Sequence, residues 1–165
     1  MRVEKDFEEF IELLNKHKVQ YLIVGAYAMS FHTRPRSTGD IDFFVKSDRE
    51  NARRIIRVLE DFGFGSVGLK EDDFLNHETV VQLGFEPNRI DILSSITGVG
   101  FTQAYKAKVG GKFGRQKAWF ISFDDLLQNK TALRRKKDEA DAELLREFKR
   151  LKREQSKRQR QAQRR

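Results

Sequence analysis

Asp40 and Asp42, within GDIDFFV (39–45), set two carboxylates at the mouth of an otherwise apolar run. On a strand, successive side chains point to opposite faces, so these two acids share one face while Ile41 and Phe43 take the other. Residues two apart on one face lie roughly 7 Å apart at Cα. Two carboxylates that close repel, and burial makes their ionisation costlier still. A divalent Mg²⁺ or Mn²⁺, which favours hard oxygen ligands, relieves that repulsion. Taken alone, a D-x-D pair reads more simply as a solvated strand end.

A third acid changes the reading. In NRIDILSSI (88–96), Asp91 sits between Ile90 and Ile92. A lone acid in an apolar run is expensive unless it is paired or metal-bound. If the two strands are neighbours, three carboxylates converge, which is the arrangement of two-metal phosphoryl and nucleotidyl transfer. The competing reading of Asp91 is a salt bridge to Arg89 or to a lysine elsewhere. Upstream, VGAYAMSFHTRPRSTGD (24–40) supplies a strand end, a glycine, a helix start and a basic loop. A helix N-terminus with free N–H groups attracts anions, and Gly25 lets a phosphate approach the backbone closely. Arg34, Arg36 and Thr38 are candidate phosphate or base contacts.

The elements that must carry these residues follow from periodicity. Phe7, Phe10, Ile11 and Leu14 recur at helical spacing and predict an amphipathic helix over 3–16. QYLIVG reads as a buried strand ending at Gly25, and AYAMSFH as the start of a second helix. DIDFFV is a strand. The next helix reads from Ser47 as N-cap, with Glu50 three residues on, to a stop at Gly63. ETVVQLGF and NRIDILSSI read as two strands joined by a turn at Glu86, Pro87 and Asn88. KAKVGGKFGRQKAWFIS predicts a hairpin. A helical segment runs from Phe123 to Gln155, with a break near Arg135 to Lys137.

The chain has 165 residues, enough for one domain with a real core, and 14 phenylalanines suit that reading. Residues 146–165 hold ten Lys/Arg and two Asp/Glu, which accounts for the whole net charge of +8. The remaining 145 residues are formally neutral. The expected division is therefore a domain over 1–148 and a basic, flexible tail over 149–165, its last ten or so residues frayed. Such a tail is most simply solubilising; it also attracts RNA through counterion release, although it has no aromatic residues of its own to stack on bases. There are no cysteines, which excludes disulfides, thiolate zinc sites and a thiol nucleophile. With no signal-like or membrane-spanning run, a cytoplasmic protein without membrane contact is expected. His17, His32 and His77 show no metal-ligand spacing, and Trp119 reads as packing.

The segment YLIVGAYAMSFHTRPRSTGDIDFFV resembles the core motif of the polymerase-beta-like nucleotidyltransferase superfamily. The pattern there is an apolar strand, a G-G or G-S pair, a helix, an Arg/Thr loop, then D-x-D on the next strand. RIDIL matches the strand of the third carboxylate. LLQNKTALRRKKDEADAELL resembles a C-terminal segment of small bacterial and archaeal members, with Lys130, Arg135, Asp138 and Asp141 fitting its lysine and R-x-K-D-x-x-D pattern. The likeness is greatest to minimal nucleotidyltransferases and to transferase-type toxins or antitoxins. One departure is Ala26, where the family has Gly or Ser; it keeps the backbone N–H but has no hydroxyl for a phosphate.

The resemblance implies an α/β (α+β) fold, a short mixed sheet flanked by helices with a helical C-terminus. It implies that Asp40 and Asp42 hold the metals on a nucleoside triphosphate such as ATP. Asp91 would bind the second metal and help deprotonate the acceptor. Gly25 and Ala26 would border the triphosphate, Lys130 would neutralise phosphate charge or support the site, and Asp138 would brace it. Lys130 and Asp138 also read as plain helix-surface charges. The function expected is Mg²⁺- or Mn²⁺-dependent transfer of an NMP to a hydroxyl of RNA, protein or a small molecule, within a toxin–antitoxin pair or outside one. The alternative is a non-catalytic nucleotide- or RNA-binding antitoxin on a decayed transferase fold. A third reading, a metal-dependent phosphohydrolase, is disfavoured because the sequence lacks the histidine pattern that many such sites use.

Overall fold

The computed structural model describes residues 2–164. Helix α1 (Arg2–Lys16) leads to β1 (Tyr21–Val24), α2 (Gly25–His32), β2 (Asp40–Val45) and α3 (Arg49–Phe62). Two short 3₁₀ turns, Gly65–Val67 and Glu71–Phe74, precede β3 (Val80–Phe85) and β4 (Asn88–Leu93). Then come α4 (Phe101–Lys106), β5 (Val109–Phe113), β6 (Gln116–Phe120), α5 (Phe123–Leu133) and α6 (Lys136–Gln163). The six strands form one mixed sheet in the order β3-β4-β2-β1-β6-β5. β2 runs parallel to β4 and β1 parallel to β6, while the remaining neighbours are antiparallel. The α/β architecture with a helical C-terminus is the one the sequence predicts. No helix among the described residues is long and apolar enough to cross a membrane.

Strand alternation divides the interior into two layers. Ile41, Phe43 and Val45 of β2 and Ile90 and Ile92 of β4 pack with Phe7, Phe10, Ile11 and Leu14 of α1 and with Ile55, Val58 and Leu59 of α3. The predicted apolar stripe of α1 is thus wholly consumed by this layer. On the opposite face Leu22, Val24 and Phe44 meet Ala28 and Met29 of α2, Leu126 of α5 and Leu145 of α6. Asp40 and Asp42 alternate with Ile41 and Phe43, so they fall on this second face, beside Phe44.

Three local features differ from the sequence reading. Asp48, one residue after the expected Ser47, caps α3 by accepting from the Asn51 N–H at 2.8 Å. Ser47 instead donates its hydroxyl to the Phe74 carbonyl at 3.1 Å, tying α3 to the second 3₁₀ turn. Gly63 does end α3, in the left-handed region at φ 96°. Helix α4, unassigned from sequence, is only six residues long and is held by the burial of Ala104 rather than by a long periodic signal. Finally, α6 continues beyond the expected helical end at Gln155 and stays helical to Gln163. The Lys, Arg, Gln and Ala that compose this stretch are strong helix formers, so helix there needs no buried face.

Candidate active site

The parallel register of β2 and β4 sets Asp40 beside Arg89 and Asp42 beside Asp91. Neighbouring strands lie about 4.8 Å apart, so the three acids and one arginine form a compact patch on the second face. All four line a single cleft with Gly25, Ala26, Arg36, Thr38, Lys130, Lys137 and Asp141. Asp42 faces the start of α2, whose first turn has no side-chain cap. Gly25 takes φ +66°, and a Cβ there would lie 2.2 Å from Asp42 Oδ2. Glycine is therefore required twice over, for backbone conformation and for room. Gly25→Ala is expected to cost about 1–3 kcal/mol in urea melts and to push the Asp42 carboxylate out of place.

The β3–β4 turn is seated on β2 by a second glycine. A Cβ on Gly39 would lie 1.5 Å from the Pro87 carbonyl oxygen, so only glycine lets the turn close over the start of β2. That closure brings Arg89 to the acids. Its Nε donates to Asp91 Oδ1 at 2.6 Å and its NH2 to Asp91 Oδ2 at 2.9 Å. The same NH2 reaches Asp40 Oδ2 at 3.4 Å. The salt bridge to Arg89 that the sequence offered as the competing reading of Asp91 is present, and it coexists with the shared carboxylate face.

Burial and the neighbouring Asp91 and Asp40 charges push the Asp42 carboxyl up to about 6, against the opposing pull of Lys130 and Lys137. Asp40 Oδ1 is buried with no hydrogen-bond partner among the described residues. An orphaned oxygen and a reluctant carboxylate side by side are what a hard cation would satisfy. Mg²⁺ is commonly held by one or two carboxylates plus substrate phosphates, and Asp40 and Asp42 fit that donor set. No group of three His, Cys, Asp or Glu side chains converges on one metal position among the described residues. Both oxygens of Asp91 are engaged by Arg89 instead.

Lys130 and Asp138 are not surface charges. Asp138 is fully buried and Lys130 is 5% exposed. Lys130 Nζ lies 3.0 Å from Asp138 Oδ1 and 3.0 Å from Asp141 Oδ2. Arg135 Nε donates to Asp138 Oδ2 at 2.5 Å, and Arg36 NH2 to Asp141 Oδ1 at 2.8 Å. The break between α5 and α6, with Arg134 at φ 57°, turns the chain so that both helices point these groups inward. Arg36 thus reaches the site through Asp141, and Thr38 by donating to the Asp40 carbonyl at 3.3 Å. Arg34 is exposed and lies outside the cleft lining. His32 also lies outside it, with Nε2 2.7 Å from the Ile121 carbonyl. Lys137 and Asn129 line the cleft without having been singled out from sequence. Lys137 stands in a run of four basic residues (Arg134, Arg135, Lys136 and Lys137), where sequence alone cannot say which one faces inward.

The crystal structure of a lincosamide antibiotic adenylyltransferase, LnuA, with lincomycin bound, is similar to this chain. The likeness covers 87% of this chain and 96% of that one, with a TM-score of 0.52 and 16% identity. The two chains share a fold. At this identity the likeness is one of fold. No family model matches the sequence, and no curated protein does. Within this fold, the acidic patch of β2 and β4, the start of α2 and the Lys130 network all open into one cleft.

Proposed function

We propose that this chain is a metal-dependent nucleotidyltransferase that moves an NMP from a nucleoside triphosphate to a hydroxyl acceptor. The observation that carries the proposal is the shared face of Asp40, Asp42 and Asp91 on two parallel strands, opposite the uncapped start of α2. In this reading the Gly25 and Ala26 backbone borders the triphosphate, and Lys130, Lys137 and Arg36 offset its charge. The Mg²⁺ or Mn²⁺ that Asp40 and Asp42 would hold supplies charge neutralisation and polarisation of the phosphate oxygens. Asp91 takes the acceptor's proton as the acceptor oxygen bonds to the α-phosphorus and pyrophosphate leaves. Asp138, through Lys130, positions rather than reacts. Arg89 orients Asp91 through both of its oxygens.

The nucleotide and acceptor are part of the proposal. The fold likeness to an adenylyltransferase supports ATP as donor, and the acceptors to test are RNA, protein and small hydroxyl compounds. The motif resemblance further supports membership in a cytoplasmic toxin–antitoxin pair, with residues 1–148 carrying the transferase-like domain. One observation favours a second reading, a non-catalytic nucleotide-binding protein: Arg89 holds Asp91 and reaches Asp40. The deciding experiment incubates the protein with Mg²⁺, each α-labelled NTP, and either total tRNA, cell lysate or lincomycin. Transfer of label to any acceptor, lost in Asp91→Asn, is the expected result. A protein stabilised by Mg²⁺–NTP that labels nothing establishes the second reading.

A further inference from the structure

The side of α6 that carries Asp141 and Leu145 continues, turn by turn, as Lys149, Lys152 and Ser156. Beyond Lys149 this side leaves the body of the protein and faces a groove against the start of α5. The groove is lined by Phe123, Asp124, Lys149, Lys152, Arg153, Ser156, Lys157 and Arg160. Lys149 pairs with Asp124 at 2.7 Å. Lys152 lies 5.2 Å from the centre of the Phe123 ring. Arg153, Lys157 and Arg160 make no ion pair among the described residues. The groove therefore combines a rigid row of cations, a hydroxyl and a half-buried aromatic ring. The basic tail has no aromatic residue of its own; folding supplies one from α5.

We infer that this groove binds single-stranded RNA, with the phosphate backbone along Arg153, Lys157 and Arg160 and a base on the Phe123 ring. The chemistry selects this occupant. A membrane surface requires an apolar face, and Leu151 is the only large apolar side chain exposed on α6. A protein partner requires an apolar centre, whereas this row is charged throughout. Stacked duplex DNA offers no free base to an aromatic ring, while unpaired RNA does, and the Ser156 hydroxyl can pair with a 2′-OH. At 1.5 Å per residue the groove runs from about 10 Å to about 30 Å from the cleft along α5 and α6. The inference does not depend on chemistry in the cleft.

The test uses the full chain and a short labelled single-stranded RNA, with binding followed by anisotropy across a salt series. The charge-reversal variant Arg153→Glu/Lys157→Glu/Arg160→Glu keeps helix-forming residues. It is expected to lower the slope of log affinity against log salt by about two to three, at roughly 0.7–0.9 for each lost phosphate contact. Phe123→Leu is expected to weaken binding on the order of tenfold with the slope unchanged, the signature of a lost base stack. Melting curves with and without Mg²⁺–ATP check that the charge-reversal variant keeps its fold and cleft. RNA affinity unchanged by charge reversal overturns the inference. So does equal binding of matched duplex DNA, of polyglutamate, or of phosphatidylglycerol vesicles.

Discussion

Asp42→Asn is expected to raise the melting temperature of the metal-free protein at neutral pH and, under the proposed function, to lower nucleotidyl transfer at least about a hundredfold. Burial and the flanking Asp91 and Asp40 lift the folded-state value of Asp42 to about 6, from an ordinary 3.8. A group raised in the folded state contributes stability below its unfolded value, and that contribution is lost as pH rises through the folded value. Ionised Asp42 is therefore a liability above about pH 6, on the order of 2–3 kcal/mol for a shift of this size. Asparagine keeps the shape and removes the charge. In EDTA at pH 7 the variant should melt about 5 °C higher, and the gap should close as pH falls from about 6 to about 4. The same change should lower transfer by at least about a hundredfold and erase the stabilisation by Mg²⁺–NTP, worth about 2.7 kcal/mol at a hundred times Kd. An Asp42 that merely capped a loop would show the reverse, a variant less stable at every pH. The measurement is a set of four melting curves, wild type and variant, each with and without ligand.

Lys130→Met should produce the largest loss of stability of any single change in the cleft. It keeps the aliphatic stem but strands two buried carboxylates, each 3.0 Å from the ammonium it replaces. Burial alone would raise Asp138, but hydrogen bonds from Arg135 and Lys130 outweigh it and hold Asp138 below the ordinary carboxylate range. Burial opposes Asp141 in the same way, and Arg36 and Lys130 together hold it low. Groups lowered in the folded state contribute stability above their unfolded value and lose it as pH falls through the folded one. Removing one partner of a buried pair costs about 3–5 kcal/mol, so the midpoint of thermal unfolding should drop by roughly 10 °C at pH 7. The difference from wild type should shrink as pH falls from about 4 through the lowered folded-state range of Asp138 and Asp141. A change of under about 0.5 kcal/mol in urea melts at pH 7 would return Lys130 to the status of a surface charge.

These two residues mark how far the sequence could be read. Asp40 and Asp42 are legible because strand alternation is local: a period of two puts both on one face whatever surrounds them. The stripe of α1, the strands flanking Glu86 and Pro87, and the break near Arg135 are legible for the same reason. The cap of α3 was misplaced by one residue because Ser47 and Asp48 are both good caps; the tie of Ser47 to Phe74, 27 residues away, decides between them. Lys130 and Asp138 were ambiguous because helical spacing reports which residues share a face, not whether another helix covers it.

By itself, the sequence determined the periodic elements, the pairing of acids on one strand face, and the placement of all net charge after residue 145. Local sterics and the alternation of polar and apolar side chains suffice for each of these. Only the tertiary structure decided what meets what. The parallel register of β2 and β4 put Asp91 beside Asp42, and the Gly39–Pro87 contact delivered Arg89 to both Asp91 and Asp40. The turn at Arg134 buried Lys130 between two carboxylates, and the antiparallel return of α6 laid its basic row against Phe123. Charges interact by distance in space, and distances between residues far apart in the chain are set by packing alone.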